Sequence, residues 1–391
     1  MPLDRASLDR RVDELEGKLV ALSLEIHRHP ELSFEERRAA SLITELVERE
    51  GGVSVERPFG RLETAFRARA GSERGPRIAL VAEYDALPEI GHACGHNLIA
   101  GAAVGAFLAL SRHAPELAGR VELVGAPGEE RGGGKIRLLE AGAFEGVDAA
   151  MMFHPFDRDL LAHPALSSMR IVAKFRGAPA HAAFAPWDGR SALTACLDTF
   201  RLVDSQRVHL RDGVRVHGIV TNGGQAANVI VEHAECEFSV RARTTRELEP
   251  VAATVERCAR AAALASNVEV ETERGEGYRE MRNNMTLARR FGAALEALGR
   301  APRETDASVG AASTDMGDVS LAVPSIHPWL AICDEGAALC HERAFADFAG
   351  SERGLRTMLV AAKALARTAL DLLEDPSLVD KARAEHAGGS R

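Results

Sequence analysis

Three short apolar runs constrain the fold of this chain more than any other feature: Ile78-Ala79-Leu80-Val81-Ala82, Val121-Glu122-Leu123-Val124-Gly125 and Ala149-Ala150-Met151-Met152-Phe153. Runs of this length, bounded by turn residues, read as buried strands. The first precedes an alanine-rich helical stretch over 97–112 and the second a shorter one over 136–141. That alternation is the βαβ rhythm of an α/β domain built on a mostly parallel sheet. Each run also ends in residues able to do chemistry. Asp85 follows the first, Glu129 and Glu130 the second, and His154 the third. Open α/β sheets bind ligands beyond the carboxyl ends of their strands, so these groups are expected at one edge.

Between the first run and its helix stands Gly91-His92-Ala93-Cys94-Gly95-His96-Asn97. Thiolate, imidazole and carboxylate are the donors that hold divalent transition metals. Taken singly, each has a bland reading. Cys94 fits a small buried apolar residue, His96 a helix start, His154 a core histidine, and the glutamate pair a solvated loop. The pair, however, lies between a buried-looking strand and Gly132-Gly133-Gly134. Adjacent carboxylates there repel each other unless a cation joins them. Jointly, the groups point to a metal centre that carries out hydrolysis. No Gly-x-Ser-x-Gly elbow and no Gly-x-Gly-x-x-Gly turn stands at a strand end, which argues against a serine hydrolase and a nicotinamide dehydrogenase. A non-catalytic binding protein of the same fold is the other alternative, and the intact Glu129 speaks against it.

The 391 residues suffice for two domains. A net charge of -9 argues against a nucleic-acid partner, which calls for a basic face. The first residues carry no apolar signal core, and the longest near-apolar run, 98–110, is too short to span a membrane. Six scattered cysteines fit a reduced compartment, so the cytoplasm is the expected location. Val12, Leu15, Leu19, Leu22 and Ile26 predict an opening helix, and a second over 34–50 is stopped by Gly51-Gly52. Over 167–275 the order becomes β-α-β-β-α-β, a split βαβ module. It interrupts a domain made of 1–166 and 276–391. A long helix over 351–373 closes the pattern, and 382–391 reads as a frayed tail.

Several motifs together resemble the M20 family of metallopeptidases and amidohydrolases, in particular the branch with aminobenzoyl-glutamate hydrolases and aminoacylase-1-like dipeptidases. They are Glu25-Ile26-His27-Arg28-His29-Pro30-Glu31-Leu32, Glu83-Tyr84-Asp85-Ala86-Leu87-Pro88 running on through Asn97, Gly128-Glu129-Glu130, His154-Pro155, Ala180-His181-Ala182, Gly223-Gly224-Gln225-Ala226-Ala227-Asn228 and Ser313-Thr314-Asp315. The resemblance implies a three-layer α/β/α catalytic domain carrying an inserted α+β, ferredoxin-like lid and dimerisation domain. It implies two divalent metal ions, zinc or manganese before cobalt or nickel, held by Cys94, His96, Glu130, His154 and His341, with His327 the rival for the last position. Glu342 replaces the family's usual small hydroxyl residue after that histidine. Asp85 would orient a metal-facing histidine, and Glu129 would be the general base. His181 would reach the partner subunit's site in a homodimer, and Asn228 and Arg241 would bind the polar end of the substrate. The implied reaction is hydrolysis of an N-acyl amino acid, an aminobenzoyl-glutamate-like compound or a dipeptide. A neutral aryl amide or carbamate is the alternative substrate.

Overall fold

The computed structural model describes residues 3–388. Helix α1 (Arg5–Arg28) buries Leu8, Val12, Leu15, Leu19, Leu22 and Ile26, the single face that their spacing demands. Asp4 caps it, accepting a 2.6 Å bond from the Ser7 amide. Helix α2 (Arg37–Gly51) ends at Gly52, whose left-handed backbone closes the last turn. The chain then enters a sheet through β1 (Val55–Glu56), β2 (Phe66–Gly71) and β3 (Arg77–Ala82). Helix α3 (His96–Ser111), strand β4 (Arg120–Gly125), helix α4 (Gly134–Glu140) and strands β5 (Ala149–Met151) and β6 (His154–Phe156) follow.

A second compact unit comprises residues 165–280 and 312–314. It contains β7 (Ser167–Arg176), α5 (Ala192–Gln206), β8 (Arg215–Asn222), β9 (His233–Ala242), α6 (Thr245–Ala265) and β10 (Glu269–Arg274). Its antiparallel sheet runs β10-β7-β9-β8, so β9 separates β7 from the strand that follows its crossover helix. Ile171, Phe175, Cys196, Val203, Phe238 and Val255 form its core. The unit extends beyond 275 because Ser168 and Tyr278 exchange backbone bonds of 2.8 and 3.1 Å. It takes in 312–314 because Leu166 donates to the Ala312 carbonyl at 2.7 Å.

The first unit resumes with α7 (Met285–Ala297), α8 (Met316–Ala322), β11 (Ser325–Ile326), β12 (Trp329–Ala331), α9 (Arg343–Ala349), α10 (Glu352–Glu374) and α11 (Pro376–Gly388). Its main sheet runs β1-β2-β4-β3-β5-β11. Strands β4, β3, β5 and β11 are parallel, with Ile78 opposite both Val121 and Ala149, while β1 and β2 join antiparallel at one edge. Every residue of β4 is buried, and every residue of β3 except Arg77. Strands buried at every position have both faces covered, the condition for a sheet between two layers. The α3 helix is likewise buried throughout, which is why its sequence shows no polar face.

One expectation fails. The tail from 382 is not frayed as far as the described residues reach. It continues α11, with Ala382 buried and its carbonyl accepting from Asn284 Nδ2 at 2.8 Å. The Glu385 carboxylate accepts from the amide of Thr286 at 2.9 Å and from its hydroxyl at 2.7 Å, tying down the first turn of α7. Partners almost a hundred residues away hold a segment whose own pattern is too polar to announce a helix. Residues 389–391 lie outside the described residues.

Candidate metal centre

Because β4, β3 and β5 are parallel, the segments leaving their carboxyl ends gather at one edge. Gly95 makes the first approach possible. Its φ of 76° is left-handed, and a Cβ there would lie 2.5 Å from the Pro155 ring. The Cys94 turn therefore packs directly on the His154–Pro155 strand, with Cys94 Sγ 3.4 Å from His154 Nε2. Gly128 plays the same part after β4. Its φ is 68° and a Cβ would strike the Phe34 ring at 2.5 Å.

Asp85 is the hub. Its Oδ1 lies 3.0 Å from His96 Nδ1, while Oδ2 accepts from Ser33 Oγ at 2.8 Å and from the Glu130 amide at 3.0 Å. One carboxylate thus fixes the His96 ring and the backbone of the acidic pair. Burial raises the Asp85 pKa, but His96 and these donors outweigh it and hold the carboxyl low, at about 2. With Nδ1 engaged, His96 Nε2 is buried without a hydrogen-bond partner. It faces Glu83 Oε2 at 3.5 Å and one oxygen each of Glu129 and Glu130 at 3.9 Å. Burial pushes the His96 pKa down, yet Asp85, Glu83 and Glu130 prevail and raise it well above the usual range. The nest demands positive charge at that nitrogen, whether a proton or a metal ion.

His154 is the complementary donor. Its Nδ1 bonds the Pro155 carbonyl at 2.8 Å, which leaves the Nε2 lone pair directed at Cys94. Burial lowers its pKa to about 4, so the ring stays neutral, as ligation requires. The adjacent glutamates diverge. Burial, then Glu83 and Glu130, push the Glu129 carboxyl well up. Burial also opposes ionisation of Glu130, but its bond to His341 and the charge of His96 outweigh that and lower it. Neighbouring carboxyls pushed apart in this way are suited to different roles.

Three overlapping trios of donor atoms, each within 4.8 Å of one another, result: Cys94–His96–His154, Cys94–Glu130–His341 and His96–Glu129–Glu130. His341 enters because its amide bonds the Ala93 carbonyl at 2.9 Å, and its Nε2 reaches Glu130 at 3.3 Å. His327 does not join a trio. It sits beside His154, ring centroids 5.2 Å apart, and accepts from Trp329 Nε1 at 3.2 Å. The donor set of soft thiolate, neutral imidazole and carboxylate, with an orphaned buried nitrogen at its centre, fits divalent metal ions.

In the second unit, His181 lies exposed in a turn where its Nδ1 accepts from the amides of Ala183 and Phe184 at 3.3 and 3.1 Å. A neutral ring that accepts at Nδ1 carries its proton on Nε2, so it presents a donor outward. The exposed Asn228 accepts from the Ala182 amide at 2.9 Å through its backbone carbonyl, and Arg241 Nη1 donates to Ser313 Oγ at 3.4 Å.

The model for peptidase family M20/M25/M40 matches residues 79–371. The chain belongs to this family. A relative called Xaa-Arg dipeptidase from Mus musculus is 39% identical over 96% of this chain and 90% of its own length. A p-aminobenzoyl-glutamate hydrolase polypeptide from Escherichia coli is 27% identical over 97% of this chain and 94% of its own. In fold, the chain is similar to a Bacillus subtilis protein described as a dinuclear metal binding peptidase from the M20 family. Its TM-score is 0.71 and its identity 23%, covering 93% of this chain and 99% of that one. As an M20 member this protein is a hydrolytic enzyme acting on amide or peptide bonds.

Sequence reasoning about this M20 chain missed two groups around the nest. Lys135 is wholly buried and its ammonium pairs with Glu83 and with Asp315 Oδ1, the latter at 2.5 Å. A lysine in the first turn of a helix opposes the helix dipole, and that mismatch was the available signal. Glu36, also wholly buried, accepts from the Gly128 amide at 2.9 Å and from Thr64 Oγ1 at 2.8 Å. Nothing local distinguishes it from the exposed acids nearby.

Proposed function

We propose that this enzyme hydrolyses the amide or peptide bond of a dipeptide or N-acyl amino acid whose amine portion carries a free carboxylate. The observation that carries the reading is the set of overlapping donor trios with Glu129 at their border. Cys94, His96, Glu130, His154 and His341 would hold two divalent ions, with zinc or manganese the first choices and cobalt or nickel also compatible. Such ions polarise an amide carbonyl and make water acidic enough to attack it near neutrality. Glu129 takes the proton from the attacking water and returns it to the leaving amine. Asp85 keeps His96 in one orientation throughout. The His181 Nε2 donor stabilises the developing oxyanion, acting from one protomer on its partner's site. Arg241 and Asn228 bind the substrate carboxylate.

The dipeptide reading draws on the name of the mouse relative, and the glutamate-bearing alternative on that of the bacterial one. A homodimer through the second unit is supported by β8, an edge strand that exposes Ile219 and Val220. Phe184, Trp187 and Val229 are also exposed on this unit, more apolar surface than a solvated module needs. Among the described residues no helix is long and apolar enough to cross a membrane, and the scattered free thiols favour the cytoplasm.

The test is a chelator-stripped enzyme, reconstituted with each metal and assayed on dipeptides, N-acyl amino acids and their carboxamides. Turnover should return only with metal and favour the free acids. Equal rates on acids and carboxamides would redirect the reading to neutral amides or carbamates. No turnover of any of these with any metal would place the substrate outside the dipeptide and N-acyl amino acid classes.

A further inference from the structure

Cys340 has no part in the reaction described above, yet it stands beside the candidate metal centre. It lies in the loop between β12 and α9, partly exposed, and its Sγ is 3.8 Å from the Pro155 carbonyl. Cys94 packs on the same strand, its Sγ 3.4 Å from His154 Nε2, the residue before Pro155. The bond from the His341 amide to the Ala93 carbonyl, 2.9 Å long, sets the two loops side by side, one residue before His341 and one after Ala93. The two thiols consequently lie against each other, Cys340 being a side-chain hydrogen-bond partner of Cys94. Two loops cross-tied by a backbone bond next to both cysteines hold the sulfurs as neighbours, the first condition for a disulfide.

We propose that Cys94 and Cys340 are a peroxide-oxidisable pair, and that their disulfide withdraws a sulfur ligand from the metal centre. The oxidant is hydrogen peroxide, small enough to reach the partly exposed Cys340. The Cys340 thiol breaks the O–O bond, gaining one oxygen as a sulfenic acid, S–OH, and releasing one water. The Cys94 thiol then attacks the Cys340 sulfur. The S–S bond forms, the S–O bond breaks, and the departing hydroxyl leaves as a second water with the Cys94 proton. Two thiols have lost two electrons and two hydrogens, and one peroxide has become two waters. The consequence for metal rests on the reading of Cys94 as a ligand, whereas the cross-link itself does not. A second pair in contact, Cys196 and Cys236, is wholly enclosed in the core of the second unit, out of reach of peroxide, and serves as an internal control.

The experiment uses the full chain in three forms: metal-free wild type, zinc-loaded wild type and zinc-loaded Cys340→Ser. Each is treated with a small excess of hydrogen peroxide, digested without reductant and mapped by mass spectrometry, while a chromogenic chelator reports released zinc. Metal-free wild type should give a Cys94–Cys340 linked peptide pair that dithiothreitol separates, with Cys196 and Cys236 still reduced. Zinc-loaded wild type should form the same link and release zinc, and dithiothreitol with zinc should restore the metal content. Cys340→Ser should form no link and lose zinc about tenfold more slowly or slower still. Absence of the linked pair in the metal-free protein, or zinc loss from Cys340→Ser at the wild-type rate, overturns the proposal. A linked pair formed with zinc fully retained upholds the thiol pair and rejects Cys94 as a ligand. A full zinc content in Cys94→Ala would reject that ligand independently.

Discussion

Glu129 and Glu130 are neighbours in sequence and opposites in environment. The backbone of Glu130 is pinned by Asp85 and its side chain faces His341, whereas burial and the neighbouring carboxylates of Glu83, Glu130 and Asp315 keep Glu129 from ionising readily. Glu129→Gln should therefore lower turnover by about a hundredfold or more, with metal content, read by elemental analysis, unchanged. Glu130→Gln should lose the metal itself. If metal disappears in both, the division of labour between them is wrong. Glu36 gives a pH signature. Burial, then the charge of Asp85, raise its carboxyl from 4.5 to about 7. Between those values the folded state binds a proton that the unfolded chain does not, so stability falls as pH rises from 4.5 to 7 and levels off above. Glu36→Gln keeps an oxygen for the Gly128 amide and has no proton to lose. In metal-free protein, urea midpoints over that range should decline more for wild type, by up to about 3 kcal/mol. Parallel curves would show that Glu36 does not titrate there.

At the level of elements, helix α4 is tied to the segment that starts α8 by charge. Asp315 precedes α8, and its Oδ2 accepts from the Lys135 amide at 2.9 Å while Oδ1 takes the ammonium. Glu83, leaving β3, binds the same ammonium. One lysine therefore ties together a strand, a helix and a helix start around the nest. Such a buried triad contributes little net stability when intact, but removal of one partner leaves charges without compensation. Lys135→Met should cost about 3–5 kcal/mol in a denaturation midpoint. The triple change to Met, Gln and Asn at 135, 83 and 315 should restore part of that loss. A single variant as stable as wild type would mean that Glu83 and Asp315 have taken up protons or water in its place.

For the whole molecule, the proposed dimer makes each site depend on two chains. Mixed Glu129→Gln and His181→Ala proteins, each inactive alone, should recover activity once subunits exchange. In a mixed dimer one site then has both an intact base and an intact donor. No recovery despite demonstrated exchange would remove His181 from the partner's site. Substrate recognition is the second whole-molecule question. With a net charge of -9, long-range attraction does not favour an anion, so the proposed substrate carboxylate calls for a local cation, and Arg241 is the candidate. Arg241→Ala should weaken an acid substrate by about 1.5–3 kcal/mol in kcat/KM and leave its carboxamide nearly untouched. An equal effect on both would make Arg241 a structural residue of its sheet.

Periodicity made the helices and central strands legible, because a 3.6-residue or continuous apolar pattern depends only on near neighbours in the chain. Val12 to Ile26 predicts the buried face of α1, and the three apolar runs predict β3, β4 and β5 with reactive residues just past their ends. Tertiary structure alone decided which distant partners those residues meet. Two histidines follow late strands, and only the family resemblance favours His341 over His327. The bond from His341 to Ala93, joining loops almost 250 residues apart, brings one of them to Cys94, while Trp329 and His154 enclose the other. Lys135 draws no notice until Glu83 and Asp315 close on it, and the chain from 382 reads as a frayed tail until α7 packs beside it. In each case the deciding energy is a contact made only after the chain has folded, between residues whose local sequence carries no trace of the other.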